Sequence, residues 1–273
     1  MSSTRRPLKS LGQNFLVDNN VVDRIIRSAD IKPEDAVLEI GPGRGALTEH
    51  LAGAAGRLVL IEYDHALAAV LKKRYEDQPR ITVLDADVLA VNLTDILEEC
   101  GAGASWKVVA NLPYNISTVV LFRLLEVRKR LARMILMLQK EVGDRLVAPP
   151  DCSDYGVTTV LLGLWFDMRR EFIVPPGCFH PSPKVDSAVL SFVPLAGPRV
   201  AVGDEAVFRK VVKGAFGMRR KTLVNCLKAA DLAPFDEVRL ILVDCGIDGK
   251  RRGETLSLAE FAALSRRFSG EAG

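Results

Sequence analysis

Between residues 36 and 138, five short apolar runs at 36–40, 58–61, 81–84, 108–110 and 134–138 alternate with stretches of helical periodicity. Runs this short and this continuously apolar read as strands buried on both faces, and joining such strands in parallel requires a helix-length crossover. The alternation therefore predicts an α/β fold with a doubly wound, mostly parallel sheet. Two further runs, 165–174 and 188–193, have no clear helix between them and suit a closing antiparallel pair, which brings the sheet to seven strands. Ahead of the first strand, Val21, Val22, Ile25, Ile26 and Ala29 recur at helical spacing, with Asp18 or Asn19 placed to cap the helix.

Around Pro194, Gly197 and Pro198 the strand signals stop, and the remainder reads as short helices broken by Gly and Pro. Two domains are expected, at 1–195 and 196–273, the second small and all-helical. Charge divides in the same place. From residue 196 onward there are 14 Lys and Arg against 10 Asp and Glu, whereas the rest of the chain has 23 against 24. A basic tail on a near-neutral body fits a nucleic-acid partner. The five cysteines form no C-x-x-C pair and the three histidines show no metal spacing, so neither a disulfide framework nor a metal site is expected. No apolar run approaches the ~18 residues of a membrane span, and the polar start carries no apolar signal core. A cytoplasmic location is expected.

The first strand runs directly into Gly41-Pro42-Gly43-Arg44-Gly45-Ala46 and then into a helical pattern. A strand, a glycine loop and a helix in that order let the chain turn sharply and let a ligand approach the backbone, which assigns Gly41 and Gly43 to cofactor binding. Taken literally, the spacing Gly41-x-Gly43-x-x-Ala46 also satisfies the dinucleotide fingerprint, so a nicotinamide enzyme stays open at this point. About twenty residues on, Glu62 ends the second strand, where a carboxylate can accept from both ribose hydroxyls of an adenosine. Asp87 ends the third, in Asp85-Ala86-Asp87-Val88, where a carboxylate can accept from an adenine amino group, with Val88 or a neighbour packing on the ring.

The fourth strand ends in Asn111-Leu112-Pro113-Tyr114. Ligands of open parallel sheets bind beyond the carboxyl ends of the strands, so this tetrapeptide faces the glycine loop in space. It suits chemistry on an aromatic amine, whose lone pair is delocalised into the ring and which a single base cannot activate. The Asn111 side-chain oxygen and a backbone carbonyl near Leu112 or Pro113 can accept the two amine hydrogens and aim the lone pair. Pro113 fixes its own φ and biases Leu112 toward an extended conformation, which sets the carbonyl direction in advance. Tyr114 offers a face on which an extruded base can stack.

Five segments together resemble one family: Gly12-Gln13-Asn14-Phe15-Leu16, Glu39-Ile40-Gly41-Pro42-Gly43, Asn111-Leu112-Pro113-Tyr114-Asn115-Ile116-Ser117, Phe179-His180-Pro181-Ser182-Pro183-Lys184-Val185-Asp186-Ser187, and Arg219-Arg220-Lys221-Thr222-Leu223. They span the chain in the order found in the bacterial small-subunit ribosomal RNA adenine dimethyltransferases, whose loss gives kasugamycin resistance. The resemblance implies a Rossmann-like class I methyltransferase domain that uses S-adenosylmethionine, followed by a helical domain. It further implies action on two adjacent adenines in the hairpin loop near the 3′ end of 16S ribosomal RNA within the immature small subunit. By motif, Asn14 and Leu16 would line the cofactor site with Gly41, Glu62, Asp87 and Asn111, and Phe179 would stack on the target adenine opposite Tyr114. Read without the family, residues 13–16 look like a lead-in to the first helix and Phe179 like a core aromatic.

Arg5, Arg6, Lys9, Arg219, Arg220, Lys221, Lys250, Arg251 and Arg252 are the candidates for phosphate contact, which orients RNA without reading its sequence. A monomer is the default expectation. Three other readings compete: a sibling enzyme that methylates large-subunit ribosomal RNA and confers macrolide resistance, a nicotinamide oxidoreductase, and a non-catalytic assembly factor. The 179–187 segment and the tail favour the small-subunit member. An oxidoreductase would need a hydride-handling acid or base, for which His180 is a poor candidate.

Overall fold

The computed structural model describes residues 13–218 and 220–270. Five strands arise where the apolar runs predict them: β2 (Ala36–Ile40), β3 (Arg57–Glu62), β4 (Ile81–Asp85), β5 (Trp106–Asn111) and β6 (Leu131–Gln139). With β7 (Phe166–Val174) and β9 (Ser187–Pro194) they form one seven-stranded sheet in the order β4-β3-β2-β5-β6-β9-β7. The pairs β3·β4, β2·β3, β2·β5 and β5·β6 are parallel, and β9 returns antiparallel to β6. The chain winds outward from β2 through β3 to β4, then crosses back to β5 on the other side of β2. The carboxyl ends of β2 and β5 therefore flank the switch point, where an open α/β sheet has its crevice.

Packing explains the run lengths. All five residues of β2 are buried, and Val37, Leu38, Leu58, Val59, Leu60, Val108 and Val109 are completely enclosed. Each such aliphatic side chain contributes about 1.5–3 kcal/mol on burial. The leading helix α1 (Asn19–Ala29) buries Val21, Val22, Ile25 and Ala29, as its spacing predicts. Asp18 is its cap, accepting from the backbone N–H of Asn20 at 2.8 Å and of Val21 at 3.2 Å, an arrangement worth about 1 kcal/mol.

One departure from the expected elements bears on the site. Phe15–Leu16 is a short strand, β1, and pairs antiparallel with β8 (Phe179–His180), Leu16 opposite Phe179 and Phe15 opposite His180. The lead-in to α1 is therefore extended backbone. A two-residue ladder has no periodicity to read, and its partner lies far away in sequence.

The described residues divide into two compact units, 13–143 with 167–194, and 144–166 with those from 195 to 270. The second begins one residue before the expected boundary at 196 and takes in an additional segment, 144–166. That segment carries the helix Val157–Gly163, which packs on the helix Glu205–Ala215. Its apolar residues Val160, Leu161 and Leu162 are buried there. Among the described residues this unit also holds the helices Leu223–Ala229, Phe235–Asp244 and Leu258–Phe268. A run of rings, Tyr155 to Phe216 at 6.0 Å and Phe216 to Phe261 at 5.8 Å, forms part of its core. Among the described residues no helix is long and apolar enough to cross a membrane.

Candidate active site

At the switch point the loops after β2, β3, β4 and β5 enclose a cavity of about 320 Å³, within the range of small-molecule sites. The glycine loop forms its floor. Gly41, Gly43 and Gly45 have φ of +67°, +58° and +89°, a region that side chains with a Cβ rarely occupy. At Gly43 a second constraint applies, since a Cβ there would come within 3.0 Å of the Phe15 ring. Gly43→Ala is therefore expected to weaken binding of S-adenosylhomocysteine about tenfold, through backbone strain of ~1 kcal/mol and displacement of Phe15. Calorimetric titration checks this, and wild-type affinity in the variant would show that neither constraint matters.

Segment 13–16 closes the cavity from above and is tied to three of the loops beneath it. Gln13 Nε2 donates to Asp64 Oδ2 at 3.3 Å beyond β3, and Asn111 Nδ2 donates to the Asn14 carbonyl at 3.1 Å beyond β5. Phe15 lies over Gly43, with the Arg44 guanidinium 4.4 Å from its ring centre. Asn14, Leu16, Gly41, Gly43, Glu62, Asp87, Val88, Asn111, Leu112, Pro113 and Tyr114 all line this one cavity. Phe179 does not. It is 4% exposed and belongs to the hydrophobic core, where it pairs with Leu16.

Glu62 is 5% exposed, with Oε2 accepting from Gly43 N–H and Oε1 from Asp64 N–H, both at 2.8 Å. Burial pushes its carboxyl above the usual range, and these backbone donors oppose the shift. A carboxylate has about four lone-pair positions, so each oxygen keeps capacity for a further donor. Asp87 accepts from Leu89 N–H through Oδ1 at 2.8 Å, which holds the turn after β4.

Glu39, Phe15 and Tyr63 also line the cavity and were missed by reasoning from sequence. For Glu39 the signal was present, an acid inside the apolar run Val-Leu-Glu-Ile. It is 2% exposed and its Oε2 is buried without a hydrogen-bond partner. Burial lifts its carboxyl to about 8; the Thr48 hydroxyl, close by though outside hydrogen-bond geometry, opposes this, and the Glu62 charge adds to it. In the unfolded chain the same group titrates near 4.5. Between those values the folded state binds one more proton than the unfolded state, so this group's contribution to stability falls as pH rises. The slope approaches about 1.4 kcal/mol per pH unit. Ligand-free wild type should thus lose about 2 kcal/mol more than Glu39→Gln between pH 5.5 and 7.5 in urea unfolding. Parallel pH profiles for the two proteins would refute this assignment.

The lining carries three carboxyl groups, Glu39, Glu62 and Asp87, against one guanidinium, Arg44. The Glu39 carboxyl, neutral near pH 7, adds a buried oxygen without a partner, and the Glu62 and Asp87 carboxyls with their remaining acceptor positions fit the hydroxyls and amino group of an adenosine derivative. The same lining fits poorly to the pyrophosphate of a dinucleotide, and the residues present suit S-adenosylmethionine.

The beginning of the tetrapeptide is fixed from the sheet. Leu112 N–H donates to the Met137 carbonyl at 3.1 Å, and Ile116 N–H donates to the Pro113 carbonyl at 3.2 Å. With the Asn111 NH2 group directed at Asn14, its Oδ1 remains as an acceptor in the cavity. The half-buried Tyr114 has its phenol 2.6 Å from Ser187 Oγ, and burial raises its pKa, so the ring is neutral.

The strand order, the glycine loop and the acid-lined crevice at the switch point define a class I methyltransferase, with S-adenosylmethionine as methyl donor. The model of the ribosomal RNA adenine dimethylase family matches residues 5–268, and the chain belongs to that family. Ribosomal RNA small subunit methyltransferase A of Geobacter metallireducens is 58% identical over 262 residues, covering 96% of this chain and 95% of its own. The protein of that name from Geobacter sulfurreducens is 55% identical over the same shares. Among solved structures, a dimethyladenosine transferase from Plasmodium falciparum superposes with a TM-score of 0.80 at 26% identity, covering 94% of this chain and 98% of that one. The 23S rRNA methyltransferase ErmE gives 0.68 at 26% identity, covering 94% and 100%. The chain is accordingly an adenine-methylating enzyme of ribosomal RNA, and the nicotinamide reading is set aside.

Proposed function

We propose that the protein dimethylates N6 of two adjacent adenines in the hairpin loop near the 3′ end of 16S ribosomal RNA during small-subunit biogenesis. The observation that carries the chemistry is the orientation of Asn111. Its NH2 group is committed to the Asn14 carbonyl, so Oδ1 is the atom left to accept from an incoming amine. The second acceptor is the backbone carbonyl of Leu112 or Pro113, of which the Pro113 carbonyl already accepts one hydrogen bond from Ile116. Two acceptors on the two amine hydrogens draw the nitrogen toward a tetrahedral shape and aim its lone pair, so catalysis by the protein is alignment and electrostatics. S-adenosylmethionine supplies an activated methyl group on a sulfonium leaving group. Glu62 would hold its ribose, Asp87 its adenine amino group, and Gly41, Gly43, Asn14 and Leu16 the surrounding wall.

The base is extruded and stacked on Tyr114, a contact worth about 1–3 kcal/mol. Phe179 is the second platform that the family resemblance implies. Its burial means that a base reaches it only after β1 and β8 shift, whereas Tyr114 already lines the cavity.

RNA backbone contact is assigned to the exposed Arg220, Lys221, Lys250 and Arg252. Arg251 is withdrawn from that set, because its guanidinium is bound by Thr255 and by both carboxylate oxygens of Glu260 within its own unit. Arg5, Arg6, Lys9 and Arg219 lie outside the described residues. We take the protein to act as a cytoplasmic monomer.

The small-subunit target is favoured over the large-subunit one by the 58% identity to a small-subunit enzyme against 26% to ErmE. The test is incubation with labelled S-adenosylmethionine and unmethylated small subunits, then digestion and mapping of the modified nucleoside. Dimethyladenosine at adjacent hairpin positions is expected. In a parallel incubation with unmethylated large-subunit RNA, label there and none in the small subunits would overturn the target, and tight small-subunit binding without label would leave an assembly factor.

A further inference from the structure

The cofactor and target positions described above leave Ser187, at the end of the 179–187 segment, without a role. Its side chain is completely enclosed, and its Oγ lies 2.6 Å from the Tyr114 phenol. Ser187 opens β9 opposite Gln139 of β6, and two residues earlier on β6 Met137 pairs with Asn111 and accepts from Leu112 N–H. One strand thus fixes both the start of the Asn111-Leu112-Pro113-Tyr114 turn and the serine that meets its last side chain. The backbone just before Ser187 is held as well, since the Asp186 carbonyl accepts from Lys140 N–H at 2.9 Å.

The geometry points to Ser187 as a positioning residue that holds the Tyr114 ring at the place where the target adenine stacks. The inference rests on the stacking role proposed for Tyr114. An aromatic side chain turns easily about χ2 and swings as a whole when χ1 changes. Its Oη lies on the χ2 axis, so a hydrogen bond there anchors the far end of that axis and opposes the swing. A buried serine at the start of an interior sheet strand is a rigid anchor, unlike a water molecule or a loop side chain. The base then meets a ring already in place, and ordering that would otherwise accompany base extrusion is completed in the free enzyme.

The test compares Ser187→Ala, Ser187→Thr, Tyr114→Phe and the Ala/Phe double variant in steady-state methylation of unmethylated small subunits. S-adenosylhomocysteine affinity is measured alongside. Ser187→Ala and Tyr114→Phe should each lower kcat about tenfold, the effect of one lost buried hydrogen bond, with cofactor affinity unchanged. The double variant should be no slower than either single one, and Ser187→Thr, which restores a hydroxyl, should recover most of the rate. Multiplicative losses in the double variant, or a cofactor affinity that falls together with kcat, would overturn the inference and leave the proposed function standing. Removal of the whole ring in Tyr114→Ala separates the two ideas. Wild-type kcat in that variant would remove the stacking role itself.

Discussion

Asn111→Ala is expected to lower kcat for adenine methylation by about 10²–10³-fold while S-adenosylhomocysteine affinity falls only a few-fold. The magnitude is that of deleting one preorganised polar group aimed at the reacting atom in a site shielded from water. The asymmetry follows from where the amide's two ends point. Its NH2 end holds the Asn14 carbonyl, and therefore part of the cofactor wall, through a single neutral hydrogen bond at 3.1 Å. Losing that bond costs about 1 kcal/mol. Its Oδ1 has no such structural duty and is available to the substrate amine. Asn111→Asp provides the control, since a carboxylate keeps the acceptor but cannot donate to Asn14 and places a charge beside a neutral amine. Single-turnover rates at saturating cofactor, set beside calorimetric affinities, decide the matter. A loss of affinity in proportion to the loss of rate would move Asn111 wholly into the cofactor site.

Glu62→Ala should produce the opposite signature, a cofactor affinity lower by about 10²-fold with much of kcat retained once cofactor is saturating. Hydrogen bonds to a charged acceptor contribute about 1.5–3 kcal/mol each, and two ribose hydroxyls are the proposed donors. The substitution also leaves Gly43 N–H and Asp64 N–H without their acceptor, and these hydrogen bonds hold the glycine loop and the start of α3 (His65–Arg74). Some stability is lost with them, about 1–3 kcal/mol for each donor left buried. Glu62→Gln separates the two effects, because one amide oxygen can still serve a backbone donor while the negative charge is gone. Recovery of affinity in the Gln variant would show that the negative charge is dispensable to cofactor binding.

The contrast between these variants reflects how the site is divided. Glu62, Asp87 and the glycine loop come from the half of the sheet wound outward through β3 and β4, and they are assigned to the cofactor. Asn111 through Tyr114 come from the half wound back through β5 and β6, and they are assigned to the base. Segment 13–16 spans both halves through Asp64, Gly43 and Asn111.

Much of this was legible in the residues themselves. Buried parallel strands must be apolar along their whole length, so five of the seven declare themselves, and the helices between them dictate the parallel pairing. Backbone that must adopt positive φ demands glycine, and a polar residue placed where a strand ends is already at the mouth of the crevice. Gly41, Gly43, Glu62 and Asn111 could therefore be placed before any coordinates. Other features depended on contacts between residues far apart in the chain, which leave no local period or propensity behind. The β1·β8 ladder brings residue 15 to residue 180, and the Tyr114 phenol meets a hydroxyl 73 positions away. Arg251 reads as a free cation in a basic run, yet tertiary packing satisfies it within its own unit. Phe179 shows the same limit, since its residue type suits both a stacking platform and a core position, and only folding buried it behind Leu16. Local backbone geometry and strand burial specify the sheet, the glycine loop and the polar residue at the end of β5. Tertiary structure alone decided which side chains brace them, because each brace is a contact whose partner is set by the path of the chain through space.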